Sequence, residues 1–188
     1  SEKIDTVDTL VLSGGGPTGI AYPSIFRALY EKRIVYPDLR GIKHIICTSA
    51  GIIMGYCLLI GMDLQVIEEF SRRYETSASL NIDDISIDGL LFESGLFDTS
   101  GIRGIFTVMT RRILRRDDIS LQQLYEHTGI NLSVKVFNIT DRVYEFISHI
   151  TDPKLSVISL AQMTTAIPVL FKPILYRGKE YCLSLIHI

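Results

Sequence analysis

The chain has 188 residues, enough for one domain, and 47% of them are apolar against 21% charged, the proportions of an ordinary globular protein. Lys and Arg number 19 and Asp and Glu 21, a net charge of -2, so bulk electrostatics gives no reason to expect nucleic acid as a partner. No apolar run reaches the ~20 residues of a membrane-spanning helix, and the three cysteines form no CxxC pair. That argues against a disulfide framework and a zinc site and makes a reducing, cytoplasmic setting the default.

In chain order, Thr9 to Ser13 reads as a short apolar strand ending at a glycine cluster. Residues 20 to 33 follow as a helix, with Ile25, Phe26 and Leu29 at helical spacing. His44 to Cys47 is the next strand, and residues 50 to 60 are an apolar helix stopped near Gly61. Asp63 is read as the N-cap of a helix to about Tyr74. Residues 75 to 100 are rich in turn formers and read as a loop with short elements. A helix from about Thr99 to Arg116 comes next, then a shorter one opened by Ser120 and stopped at Gly129. Leu132 to Asn138 alternates as a strand, with Arg142 to Ile150 as its neighbour across a turn. Ser156 to Thr165 is a further helix, ended by Pro168. This alternation predicts an α/β fold in layers, helices over a mainly parallel central sheet.

Two motifs carry chemistry. Gly14-Gly15-Gly16-Pro17-Thr18-Gly19 lies between the first strand and the first helix. Its glycines allow a sharp turn and leave backbone N–H groups uncovered, able to stabilise a phosphate or a reaction oxyanion. By itself it fits a plain turn or a dinucleotide loop equally well. Cys47-Thr48-Ser49-Ala50-Gly51 follows the second strand and matches the nucleophile elbow G-x-S-x-G at every fixed position but the first. The elbow needs small residues on both sides of its serine, and the dipole of the helix that follows favours alkoxide and oxyanion at Ser49. A dinucleotide site would want an acidic residue at the end of the second strand, where this chain has Cys-Thr-Ser. The pair of motifs therefore points to acyl transfer, with the loop as oxyanion donor and the elbow as nucleophile.

The order S-G-G-G-P-T-G-I and then C-T-S-A-G-I-I-M-G resembles the patatin-like phospholipases, and the Pro17 form of the loop resembles versions from large DNA viruses of eukaryotes. Gly95-Leu96-Phe97-Asp98 and the stretch Ala166 to Pro173 resemble further family segments, so that the resemblance covers residues 8 to 182. It implies a layered α/β/α fold and a serine acyl hydrolase for phospholipids or related lipid esters. It also implies a Ser-Asp dyad with Ser49 as nucleophile, and Gly14, Gly15, Gly16 and Ala50 as oxyanion donors. Gly19, Cys47 and Gly51 support the loop and elbow. Two departures stand out: Thr18 where the family often has a basic residue, and Cys47 where the elbow has glycine, which could crowd the turn. No histidine base is required; His44 reads as core, His127 as a helix-end contact and His149 as a strand end. No metal or organic cofactor is implied.

The family's aspartate follows a G-x-x-Y-x segment, matched by Gly178 to Cys182, yet the next residue is Leu183. The final six residues, LSLIHI, are the in-frame translation of a transposon end used in sequencing-library preparation. Residues 183 to 188 are therefore expected to be an adapter remnant, the domain to be truncated at its C-terminus, and the 188-residue chain to be inactive. If the base lies within residues 1 to 182, Asp98 and Asp141 are its first candidates. The alternative is a catalytically inactive lipid- or protein-binding relative. Arg111, Arg112, Arg115 and Arg116 end an apolar-faced helix. They read as a solvated last turn that complements the helix dipole, with contact to anionic lipid as the functional alternative. A lipid substrate implies peripheral membrane contact.

Overall fold

A computed structural model describes residues 6–14, 21–69, 99–166 and 173–182. β1 (Thr9–Leu12), β2 (His44–Thr48) and β3 (Asn131–Asn138) form the parallel part of one sheet, β2 in the middle. β4 (Val143–Ile147) returns antiparallel to β3. β5 (Ile174–Tyr176) and β6 (Lys179–Cys182) form a hairpin whose second strand also pairs with β3. Helices α1 (Tyr22–Glu31), α2 (Gly51–Leu59), α3 (Thr99–Leu114), α4 (Leu121–Thr128) and α5 (Val157–Thr165) complete the layered α/β arrangement. The predicted strand and helix order holds along the described chain as far as α5. The glycine-loop residues Gly15, Gly16, Pro17, Thr18 and Gly19, the segment with Asp98, most of the Ala166 to Pro173 stretch and residues 183 to 188 lie outside the described residues.

The core follows from sequence pattern. α2 is apolar on all sides and is enclosed on all sides: Ile52, Met54, Tyr56, Cys57, Leu58 and Leu59 are buried. Tyr56 stacks on Phe106 of α3 with ring centroids 5.0 Å apart and shares a hydrogen bond of 2.6 Å with Thr110. On α4, Ser120 and Gln123 form a reciprocal capping box and Gly129 closes the helix at φ 69. The β5–β6 hairpin is absent from the sequence reading. Its two-residue turn, Arg177 (φ 49) and Gly178 (φ 72), needs left-handed backbone at both positions. Arginine announces that conformation far less clearly than asparagine does.

The strand register decides where the site lies. Val134 and Lys135 pair with β2 and with β4, so these two strands occupy opposite edges of β3. Phe137 and Asn138 pair with β4 and with β6, which puts β6 on the same edge as β2. Along that edge β2 runs parallel to β3 and ends with Thr48 opposite Lys135, while β6 runs the other way and ends with Cys182 opposite Phe137. Their C-terminal ends meet head to head, two residue levels or about 7 Å apart.

Candidate active site

Ser49 stands in that gap, as the residue that turns β2 into α2. Its φ of 54 is in the left-handed region, a conformation that costs a non-glycine residue roughly 1–2 kcal/mol. Packing on both sides holds it there. A Cβ on Gly51 would lie 2.0 Å from the carbonyl oxygen of Leu12, so the first turn of α2 rests directly on the end of β1. A Cβ on Gly14 would lie 2.5 Å from Ser49 Cβ and 3.0 Å from its Oγ. The start of the glycine loop is thus in contact with the serine, and the two sequence motifs meet at this point. The Tyr22 hydroxyl at the head of α1 donates to the Ser13 carbonyl at 2.5 Å and ties down the same turn.

The departure at Cys47 is accommodated. Its side chain points into the core, fully buried, and Gly55 of α2 leaves the space: a Cβ there would come within 2.6 Å of the sulfur. Burial pushes the Cys47 thiol well above its ordinary range, so it stays protonated and unreactive. All three cysteines are buried, and none is joined in a disulfide. The pairing makes a stability prediction. Gly55→Ala alone should cost about 1–3 kcal/mol of overpacking. On a Cys47→Ala background the penalty should largely vanish, since the new methyl then fills the place of the sulfur. Denaturant unfolding of the single and double variants gives the coupling; equal penalties in both backgrounds would show that the two residues do not share this space.

The Ser49 backbone N–H donates to Thr164 Oγ1 of α5 at 2.9 Å, and that hydroxyl donates to the Lys135 carbonyl of β3, also at 2.9 Å. α2 begins beside Ser49 with Ala50 as N-cap, and the Ile52 and Ile53 amides bond the Ser49 and Ala50 carbonyls at 3.1 Å, so the positive end of the helix dipole lies at Ser49. Such a site offers a hydroxyl on a strained turn, a backbone positive potential beside it, and the end of a second strand, β6, nearby.

The other candidates lie elsewhere. His44 is exposed at the start of β2, the end of the strand remote from Ser49, not in the core as its strand position suggested. Strand burial alternates, and the buried positions here are Ile45 and Cys47. His127 sits in the last turn of α4, and His149, two residues beyond the end of β4, stacks on Tyr125 with centroids 3.8 Å apart. Asp141 follows β3, bonded by Lys179 at 2.5 Å and by the Asn138 amide at 2.9 Å. The lysine holds its carboxyl below the ordinary range, which makes it a weak proton acceptor. Among the described residues no group of His, Cys, Asp or Glu could hold a metal ion, and no helix is long and apolar enough to cross a membrane. At the end of α3, Arg111 pairs with Asp117 at 2.7 Å, while Arg112, Arg115 and Arg116 are exposed. Gly55 and Thr164 are the site residues that sequence reasoning missed.

Comparison with known proteins gives the family and the fold. The sequence pattern of the patatin-like phospholipases matches residues 10–182. A probable lipid hydrolase, 463L of Invertebrate iridescent virus 6, is 28% identical over 174 residues, which are 92% of this chain and 58% of that protein. Among solved structures, VipD from Legionella pneumophila superposes with a TM-score of 0.62 at 19% identity, covering 95% of this chain and 46% of that one. ExoU of Pseudomonas aeruginosa, solved in complex with SpcU, gives 0.54 at 20% identity, covering 87% and 39%. The chain thus spans just over half of the viral relative and less than half of either structure. With the family pattern running from β1 to the end of β6 and a Ser49 elbow packed on the glycine loop, the chain belongs to the patatin-like phospholipase family.

Proposed function

We propose that the intact protein is a serine acyl hydrolase that cleaves ester bonds of phospholipids or related lipids through a Ser-Asp dyad. Ser49 Oγ attacks the ester carbonyl carbon as its proton passes to the aspartate. The tetrahedral oxyanion is held by the Ala50 N–H and by the backbone of Gly14, Gly15 and Gly16. Collapse expels the alcohol, which takes the proton from the aspartate, and leaves an acyl group on Ser49. Water, activated by the same carboxylate, then releases the fatty acid and restores the hydroxyl. This chemistry uses no metal or organic cofactor. The Ser49 N–H is already taken by Thr164, so the elbow's own oxyanion donor is Ala50.

The observation that carries this reading is the head-to-head meeting of β2 and β6 on one edge of β3. A carboxylate placed directly after Cys182 in the intact protein enters the gap that holds Ser49. Leu183 stands at that position here, which we attribute to an adapter remnant at 183–188; it also favours a second reading, an inactive lipid- or protein-binding relative. The viral relative's name supports a lipid substrate. A lipid substrate brings with it peripheral membrane contact, for which the exposed Arg112, Arg115 and Arg116 are available.

The test compares residues 1–182 continued by the gene's own downstream sequence with the 188-residue chain, using p-nitrophenyl esters. The first should turn over, and the second should be slower by about 10²–10⁴-fold for want of a base. Asp141→Asn should leave turnover within about twofold, because a carboxylate already paired with lysine has little proton affinity to lose. Equal activity of the two chains, with loss in Asp141→Asn, would move the base to Asp141.

A further inference from the structure

The parallel ladder between β2 and β3 carries a side-chain hydroxyl at its last rung. Its first rung runs from the Asn131 N–H to the Lys43 carbonyl at 2.9 Å. In a parallel pair the rungs recur evenly, alternate residues of each strand bonding to the neighbour. Continued through the printed register, His44 opposite Asn131 to Thr48 opposite Lys135, the pattern assigns the next rung to the Ser49 N–H and the Lys135 carbonyl. That rung is not made directly. Thr164 Oγ1, fully buried on α5, accepts from the first at 2.9 Å and donates to the second at 2.9 Å.

We propose that Thr164 is a positioning residue that spaces the last rung of this ladder by one hydroxyl, so that the chain leaves the sheet at Ser49. The proposal rests on the hydrolase reading for its kinetic consequence and on geometry alone for its structural one. The hydroxyl ties the Ser49 amide to α5 as well as to β3, so the peptide plane that enters the turn is held from two sides. The inserted hydroxyl satisfies both groups while keeping them apart, and the left-handed φ of 54 at Ser49 becomes affordable without an orphaned buried amide. It also fixes which amide serves the oxyanion. With the Ser49 N–H turned to Thr164, the Ala50 N–H is the elbow donor left at the head of α2. The bond reaches across 115 residues of sequence, so α5 sets the geometry of a turn formed early in the chain.

The experiment uses Thr164→Val, which keeps the shape and removes the hydroxyl, and Thr164→Ser, which keeps the hydroxyl, in the full-length protein. Phosphonylation of Ser49 by a fluorophosphonate and kcat for an ester should fall about 10²-fold in Thr164→Val, with KM within about twofold. Thr164→Ser should stay within about threefold of wild type. Crystal structures of the variants read the geometry without reference to activity: in Thr164→Val the Ser49 amide should lose its tie to α5, and the 48–49 peptide plane and Ser49 Oγ should shift from their wild-type positions. Should Thr164→Val not fold, Thr164→Ala carries the same expectations. A folded variant without the hydroxyl that keeps both the wild-type Ser49 geometry and the wild-type labelling rate overturns the proposal. A wild-type protein that neither labels nor turns over ester overturns the hydrolase reading instead, and the crystal structures then decide the positioning role alone.

Discussion

Ser49→Ala in the intact protein is expected to reduce ester hydrolysis by several orders of magnitude, on the order of 10⁴–10⁶-fold, with stability close to wild type. In the proposed mechanism the hydroxyl is the group that forms the acyl bond, and the thiol nearest to it in sequence cannot stand in for it. Cys47 is the nearest thiol in sequence, but it is buried against Gly55 and held protonated. Ser49→Gly separates chemistry from backbone. It removes the same hydroxyl and also relieves the left-handed strain at φ 54, so it should be inactive yet more stable than Ser49→Ala by about 1 kcal/mol. Steady-state kinetics and denaturant unfolding on the three proteins check both parts. An alanine variant with near wild-type turnover removes Ser49 from the mechanism. A glycine variant no more stable than the alanine one shows that the turn stores no strain.

Gly51→Ala should have the largest effect on folding. Its methyl would have to sit 2.0 Å from the Leu12 carbonyl oxygen and 2.7 Å from the carbon. Both are backbone atoms of β1 and cannot swing aside as a side chain can. α2 would have to lift from the sheet, disturbing the best-buried helix of the core. The expected cost is about 3 kcal/mol, or roughly 6–12 °C in Tm for a domain of this size. The gain of up to ~1 kcal/mol from replacing glycine with alanine in a helix is too small to offset it. Turnover should fall as well, since the same movement shifts Ser49 and the Ala50 amide. A Gly51→Ala protein with unchanged Tm would mean that the elbow does not press on β1 this closely.

Much of this was legible in the sequence because it is local. A glycine run after one strand and a C-T-S-A-G turn after the next are short patterns with a physical reading. The helix ends at Ser120 and Gly129 were likewise announced by their capping residues. The register and the long-range partners were not legible. Nothing local in Met163-Thr164-Thr165 indicates that Thr164 reaches Ser49 115 residues away. Cys47 looked like a crowded elbow because its compensating residue, Gly55, lies one turn into the next helix, where a glycine reads only as a weak helix former. His44 was misjudged because an apolar strand hides which of its ends and faces are covered. The β5–β6 hairpin escaped notice through its Arg177-Gly178 turn, yet it brings the end of β6 at Cys182 up to the end of β2. Sequence resemblance suggested that an aspartate belongs after Cys182; what it could not show is that the end of β6 lies two residue levels from the end of β2 on one edge of β3.

The central claim, that Ser49 is an activated acyl-transfer nucleophile, is tested most directly by covalent trapping. The intact protein is treated with a fluorophosphonate at neutral pH, digested, and mapped by mass spectrometry. The predicted result is one stoichiometric adduct on the peptide carrying Ser49, formed in step with loss of ester hydrolysis and blocked by prior unfolding. Full inhibition with the adduct on another residue, or ester turnover that persists with Ser49 unmodified, would contradict the account.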